Sequence, residues 1–230
     1  MTFWNIIKDA FKKFYESLFF NIIISLIWFA FSAPIMFLAL NAFRPQGITF
    51  PLLIPLLLIG PFTISGMTVI DKKYCREPVK LRQFFTDLPP VFIKGIINMA
   101  FAGAVYAVLL IAVNFYLARS GDSFVMLALT ALVVYFLLYF TLSQMLFWGL
   151  SVVREEMNFL TRVKYSLLIP LDNLFHSAIW LLIQLVLTAG LFILTPGLPV
   201  LFFSLTSLLI ISGTRKLLDP YVKEELQIEM

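Results

Sequence analysis

Residues 56–70 read LLLIGPFTISGMTVI. Inside this apolar run Gly60-Pro61 interrupts helical hydrogen bonding, and Thr63, Ser65, Gly66 and Thr68 follow as small, mostly polar residues. Proline has no N–H to donate, and glycine lets another backbone come close. In a membrane-spanning helix such a break frees carbonyls that line transport sites, here those near Leu57, with Thr63 and Ser65 at the wall. The same residue types also serve close packing between helices. Packing is the preferred reading, and a solute site is the alternative.

Other residues with chemical potential are few. His176, the sole histidine, follows Asp172 and Asn173 and offers a pH-sensitive gate; its plainer role is an interfacial hydrogen bond. One histidine cannot build a zinc site, and the lone Cys75 excludes an internal disulfide or a multi-cysteine metal site. Asp71, Glu155 and Glu156 lie outside the apolar runs. There is no serine–histidine–acid set and no phosphate-cradling glycine loop. The expectation is no enzyme, no cofactor and no metal.

The elements that must position these residues are set by composition. Of 230 residues, 61% are hydrophobic and 13% charged. Soluble domains sit near about 45–50% and about 25%. The mean hydropathy of +0.96 fits a bilayer. The chain is read as one transmembrane domain over 1–230, an all-α polytopic membrane protein. Stretches free of Asp, Glu, Lys and Arg are 17–43, 45–70, 95–118, 123–153 and 173–214. A span needs about 20 residues, so the last stretch holds two, turned by TPGLP at 195–199. Six spans follow, at about 18–41, 51–70, 95–117, 124–149, 174–194 and 198–214. The run after Lys8, Lys12 and Lys13 is too long for a cleavable signal peptide.

Six spans place both termini and the loops 71–94 and 154–172 on one side. Fifteen of the 17 lysines and arginines then share that side, and only Arg44 and Arg119 lie opposite. By the positive-inside rule that side is cytoplasmic, in a cell membrane. Before spans one, three and five lie FWNIIKDAFKKFYESLFFN, KLRQFFTDLPPVFIKG and FLTRVKYSLLIPLDNLFHS. Each mixes basic and aromatic residues at helical spacing, as interfacial helices do. Lys12, Lys13, Arg82, Lys94, Arg162 and Lys164 are the expected lipid or partner contacts. Spans beginning near 18, 95 and 174 suggest three helical hairpins, each introduced by an amphipathic elbow helix that Pro89, Pro90 and Pro170 bend into its span.

No ionisable residue falls inside a predicted span, which argues against a proton-coupled pump. The neutral polar residues there, among them Asn21, Ser25, Asn98, Ser143, Gln144 and Gln184, are expected to bond neighbouring helices. AFAGAVYA at 100–107 puts Ala100 with Ala104 and Gly103 with Ala107 four apart, a pattern for close helix approach.

Asn21, Trp28 and Pro34 in the first span, IGPFTISGMTVIDKK, and REPVKLRQFFTDLPPVFIKGIIN together resemble the YesL-like family, domain-of-unknown-function family 624, of bacterial integral membrane proteins. Gly60-Pro61, Arg76-Glu77 and Phe84-Phe85 occupy the family's pattern, with Arg76 standing where the family has glycine. TRVKYSLLIPLDNLFHSAIWLL is similar to the family's second basic segment. The resemblance implies a bacterial location and an accessory role beside carbohydrate uptake. The function expected is therefore a non-enzymatic membrane accessory or scaffold, with the bilayer, a transporter complex or a second copy as its expected partners, and without nucleic acid. The alternative is a small-solute transporter or channel using the Gly60-Pro61 break.

Overall fold

A computed structural model describes residues 4–41, 43–44, 47–48, 50–119, 123–193 and 198–228. The described chain is helical apart from a two-residue antiparallel ladder, β1 (Phe43–Arg44) with β2 (Gly47–Ile48). Helix α1 (Trp4–Glu16) precedes α2 (Leu18–Leu40). After the ladder, a 3-10 segment (Phe50–Leu58) turns into α3 (Ile59–Tyr74). A short α4 (Gln83–Thr86) leads to α5 (Leu88–Leu117), followed by α6 (Phe124–Val153). Helix α7 (Phe159–Asp172) precedes α8 (Leu174–Ile193), and a π turn (Leu198–Phe202) opens α9 (Phe203–Ile228).

Six segments are long and apolar enough to cross a membrane: Leu18–Leu40, Ile54–Tyr74, Leu88–Leu117, Phe124–Val153, Leu174–Ile193 and Pro199–Leu218. Their number and order agree with the charge-free stretches. The largest boundary difference is at α5, which starts at Leu88 and not near 95. Pro89 and Pro90 occupy its first turn, where a missing N–H costs little. They begin the helix and do not kink it, and Lys94 is thereby carried inside a span. Pro170 sits within α7, and the chain breaks only at Asn173, between α7 and α8. Part of the turn expected at 195–199 lies outside the described residues.

Packing divides the helices into two sets. Helices α3, α6 and α9 touch one another and form the centre. Their buried side chains include Ile64, Met67, Ile70, Leu146, Leu150, Leu209 and Ile211. Helix α2 lies against α3 and α9, α5 against α3 and α6, and α8 against α6 and α9. The shorter helices follow the same order, with α1 on α9, α4 on α3 and α7 on α6. Helix α1 sends Ala10 and Phe14 inward and keeps Lys12 exposed. Aromatic stacks tie the layers: Trp28 lies parallel to Phe203 at 4.8 Å, and Phe31 to Phe62 at 4.9 Å. Such offset pairs add about 0.5–1.5 kcal/mol beyond the area they bury.

Candidate functional site

The Gly60-Pro61 element falls at the start of α3, where the 3-10 segment hands over to α-helix. Pro61 therefore occupies the first helical turn, whose N–H groups lack intrahelical partners in any case. The element thus lies inside the span Ile54–Tyr74, but as a change from 3-10 to α-helix in which the proline opens the α-helix and does not kink it. Both residues are buried, and a Cβ on Gly60 would stand 2.1 Å from the carbonyl oxygen of Gly95. Backbone of α3 thus rests directly on backbone of α5.

The remaining small residues of α3 diverge. The Ser65 hydroxyl donates to the Phe84 carbonyl, pinning α4. Gly66 makes room for the rings of Phe203 and Phe84. Thr68 is buried, and its hydroxyl oxygen has no partner among the described residues. Thr63 lines a cavity.

That cavity holds about 240 Å³ between α2, α3, α6 and α9. Trp28, Met67, Trp148, Phe202, Phe203 and Ile210 supply its apolar wall; Thr63, Thr206 and Ser207 supply hydroxyls. The Trp28 indole N–H donates to the Thr63 hydroxyl at 3.1 Å, and the Gln184 amide donates to the Thr206 hydroxyl at 2.9 Å. Just beside it, Ser25 and Ser204 exchange a bond of 2.9 Å, and the Ser204 hydroxyl donates to the Asn21 carbonyl at 2.6 Å. The Ser204 N–H, an orphan of the first turn of α9, donates to Ser25 at 3.0 Å. Sequence reading missed this site because it weighed helix breakers and charges. A signal was present: Ser204, Thr206, Ser207, Ser212 and Thr214 crowd one short stretch of α9.

A second polar cluster closes the end of α6. Lys94 donates to the Ser151 carbonyl at 2.7 Å and the Glu155 carbonyl at 3.3 Å. Asn98 donates to the Ser151 hydroxyl at 2.9 Å, as does Arg162 at 2.7 Å. These cations meet the negative end of the α6 dipole. Arg162 is buried, with 5% of its surface exposed, and its burial pushes the guanidinium pKa below the ordinary value. It is a fixture between α7 and α6 and not the lipid contact expected of it. Lys94 is half-buried and engaged in the same way. Lys12, Arg82 and Lys164 are exposed, and Lys13 is half-buried, donating to the Tyr74 carbonyl at 3.0 Å.

Between α3 and α9, Arg215 forms a two-pronged pair with Asp71, its Nη2 lying 2.7 Å from Oδ2. Lys72 meets Asp87 at 2.7 Å. A cleft of about 230 Å³ nearby is lined by Lys13, Lys73, Arg76, Glu16 and Glu77 among others. Arg76 has φ 63°, in the left-handed region. Its N–H bonds the Lys73 carbonyl and the Glu77 N–H the Lys72 carbonyl, which is the Schellman ending of a helix. Glycine usually holds that position.

His176 is exposed at the start of α8, edge-on to Phe175, and lines neither of these two cavities. The small face at 100–107 is a further correction: Gly103 meets no atom within 4 Å, and Ala100, Ala104 and Ala107 are exposed. Among the described residues no group of three His, Cys, Asp or Glu is placed to hold a metal. Comparison with family models, curated proteins and solved structures finds no match to this chain.

Proposed function

We propose that this chain is a non-enzymatic scaffold of a bacterial cell membrane, built as three helical hairpins with elbow helices and both termini on the cytoplasmic side. The hairpins are α2–α3, α5–α6 and α8–α9, introduced by α1, α4 and α7. The cyclic order of contacts supports the threefold reading, since each elbow rests on the second helix of the preceding hairpin and α1 rests on α9. The distribution of arginine and lysine supports the orientation. Association with carbohydrate uptake enters from the resemblance to the YesL-like family.

One observation carries the scaffold reading. The charged groups that are held serve helix ends, and the outer faces of α5, α6 and α8 are broad, apolar and unoccupied within the chain. Such faces suit lipid or partner helices. Gly60-Pro61, the element a transport mechanism needs open, is sealed against Gly95.

Affinity purification of the tagged full chain from its native membranes, after crosslinking, is expected to return a defined membrane partner. Recovery of the chain alone, in a homogeneous form, overturns the reading. Orientation has its own check, because Cys75 is exposed and is the only cysteine. A membrane-impermeant maleimide is expected to label it only after right-side-out vesicles are permeabilised.

A further inference from the structure

We propose that the cavity between α2, α3, α6 and α9 binds a small uncharged cyclic molecule that carries an oxygen. The hydroxyls make the case. Thr130, Thr141, Thr188, Ser151 and Ser212 each donate to the carbonyl four residues earlier, the usual fate of a hydroxyl on a membrane helix. Thr63 and Thr206 do not. Among the described residues each only accepts, from Trp28 and Gln184 respectively, so each keeps a proton to donate.

Ser207 goes further. The residue is 2% exposed and lines the cavity, and none of the hydrogen bonds described above uses its hydroxyl. Its hydroxyl opens onto a mostly apolar space, where a donor gains most from an acceptor placed beside it. Three donors from two helices therefore converge on one space.

The wall chooses the ligand's body. Trp28, already covered on one face by Phe203, and Trp148 offer ring surface, and no ionisable residue lines the space. A charge there would be unmatched. Since a cavity of about 150 Å³ accepts benzene, the space here takes about ten non-hydrogen atoms. A ring with a hydroxyl, ether or carbonyl oxygen satisfies both wall and donors.

The test uses 4-fluorophenol with the full chain in nanodiscs, followed by fluorine NMR, with protein-free nanodiscs as the partition control. A saturable component absent from the control is expected. Fluorobenzene, which lacks the oxygen, is expected to bind at least fivefold more weakly. Ser207→Ala is expected to weaken 4-fluorophenol about fivefold to tenfold, with an unchanged thermal midpoint. Ser207→Leu fills the space and is expected to abolish the component; should it fail to fold, the alanine variant decides. A signal equal to the control, equal binding of fluorobenzene, or saturable binding indifferent to Ser207→Ala overturns the proposal. The first of those outcomes leaves water as the occupant.

Discussion

Helices α3 and α5 lie side by side, and both carry small residues at helical spacing. Of the apolar window of α3, 56% is buried; of that of α5, 11%. Gly60 meets Gly95 backbone to backbone, while Gly103, two turns further along α5, meets nothing. The same residue type thus does opposite work about 12 Å apart along one helix. What differs is the number of neighbours: α3 is enclosed by α2, α5, α6 and α9, whereas α5 has one side outside the bundle. A small-residue pattern records that something can come close, and only the surrounding helices say whether anything within the chain does.

The sharpest way to break this contrast is to add one methyl group in each place. Gly60→Ala is expected to destabilise the chain by about 3 kcal/mol or more, because the obstacle is backbone and cannot repack. Gly103→Ala should fall within about 0.5 kcal/mol of the parent. Thermal midpoints of the two variants in the same detergent decide it, and equal effects would sink the comparison.

Next in size is the pair that fixes α3 to α9. Asp71→Asn leaves the Arg215 guanidinium, a third exposed, without its counter-charge. Breaking a fully buried pair costs about 3–5 kcal/mol; with this exposure about 2 kcal/mol is expected. Among the described residues α5 forms no ion pair with another of the six spans; Lys94, Asn98 and Tyr106 hold it to α6 through hydrogen bonds alone. A double-mutant cycle with Arg215→Gln measures the coupling, and a value near zero would remove the pair from the account of why α3 is central.

Ser151→Ala tests where α5 is held. It removes the shared acceptor of Asn98 and Arg162, with an expected loss of about 1–3 kcal/mol. Protease resistance of the 154–158 loop should fall with it. The smallest effect is a gain: Arg76→Gly relieves a left-handed residue at the end of α3 and is expected to stabilise by about 1 kcal/mol. An unchanged or lowered midpoint would mean that the Arg76 side chain, in its cleft, contributes more than its backbone strain removes.

The spans were legible because a bilayer imposes a length and a charge rule on each helix separately, and the apolar runs from Leu18 and Phe124 obey both. Which spans are central was not legible. Hydropathy does not mark the centre consistently: the spans of α3 and α9 are the least apolar of the six, whereas the equally central α6 is the most apolar. The form of the Gly60-Pro61 break was hidden for a local reason: a proline reads as a kink or as a first turn depending on whether the preceding residues are α-helical, and residues 50–58 are 3-10. Arg162 was misread because a basic residue beside aromatics looks interfacial, while here the end of α6 supplies its counter-dipole. Of the cavity, only Thr63 stood out, since the hydroxyls of α9 resemble ordinary membrane packing until their bonds are traced.

The serines that join α2 to α9 have a consequence for how the protein is made. Ser25 and Ser204 are 179 positions apart in sequence. Ribosomes deliver the first span to the membrane long before the last exists, so Ser25 and the Asn21 carbonyl wait in the bilayer with these bonds unmade. The ring of helices closes only when the final span arrives, which makes the last helix the fastener for the first.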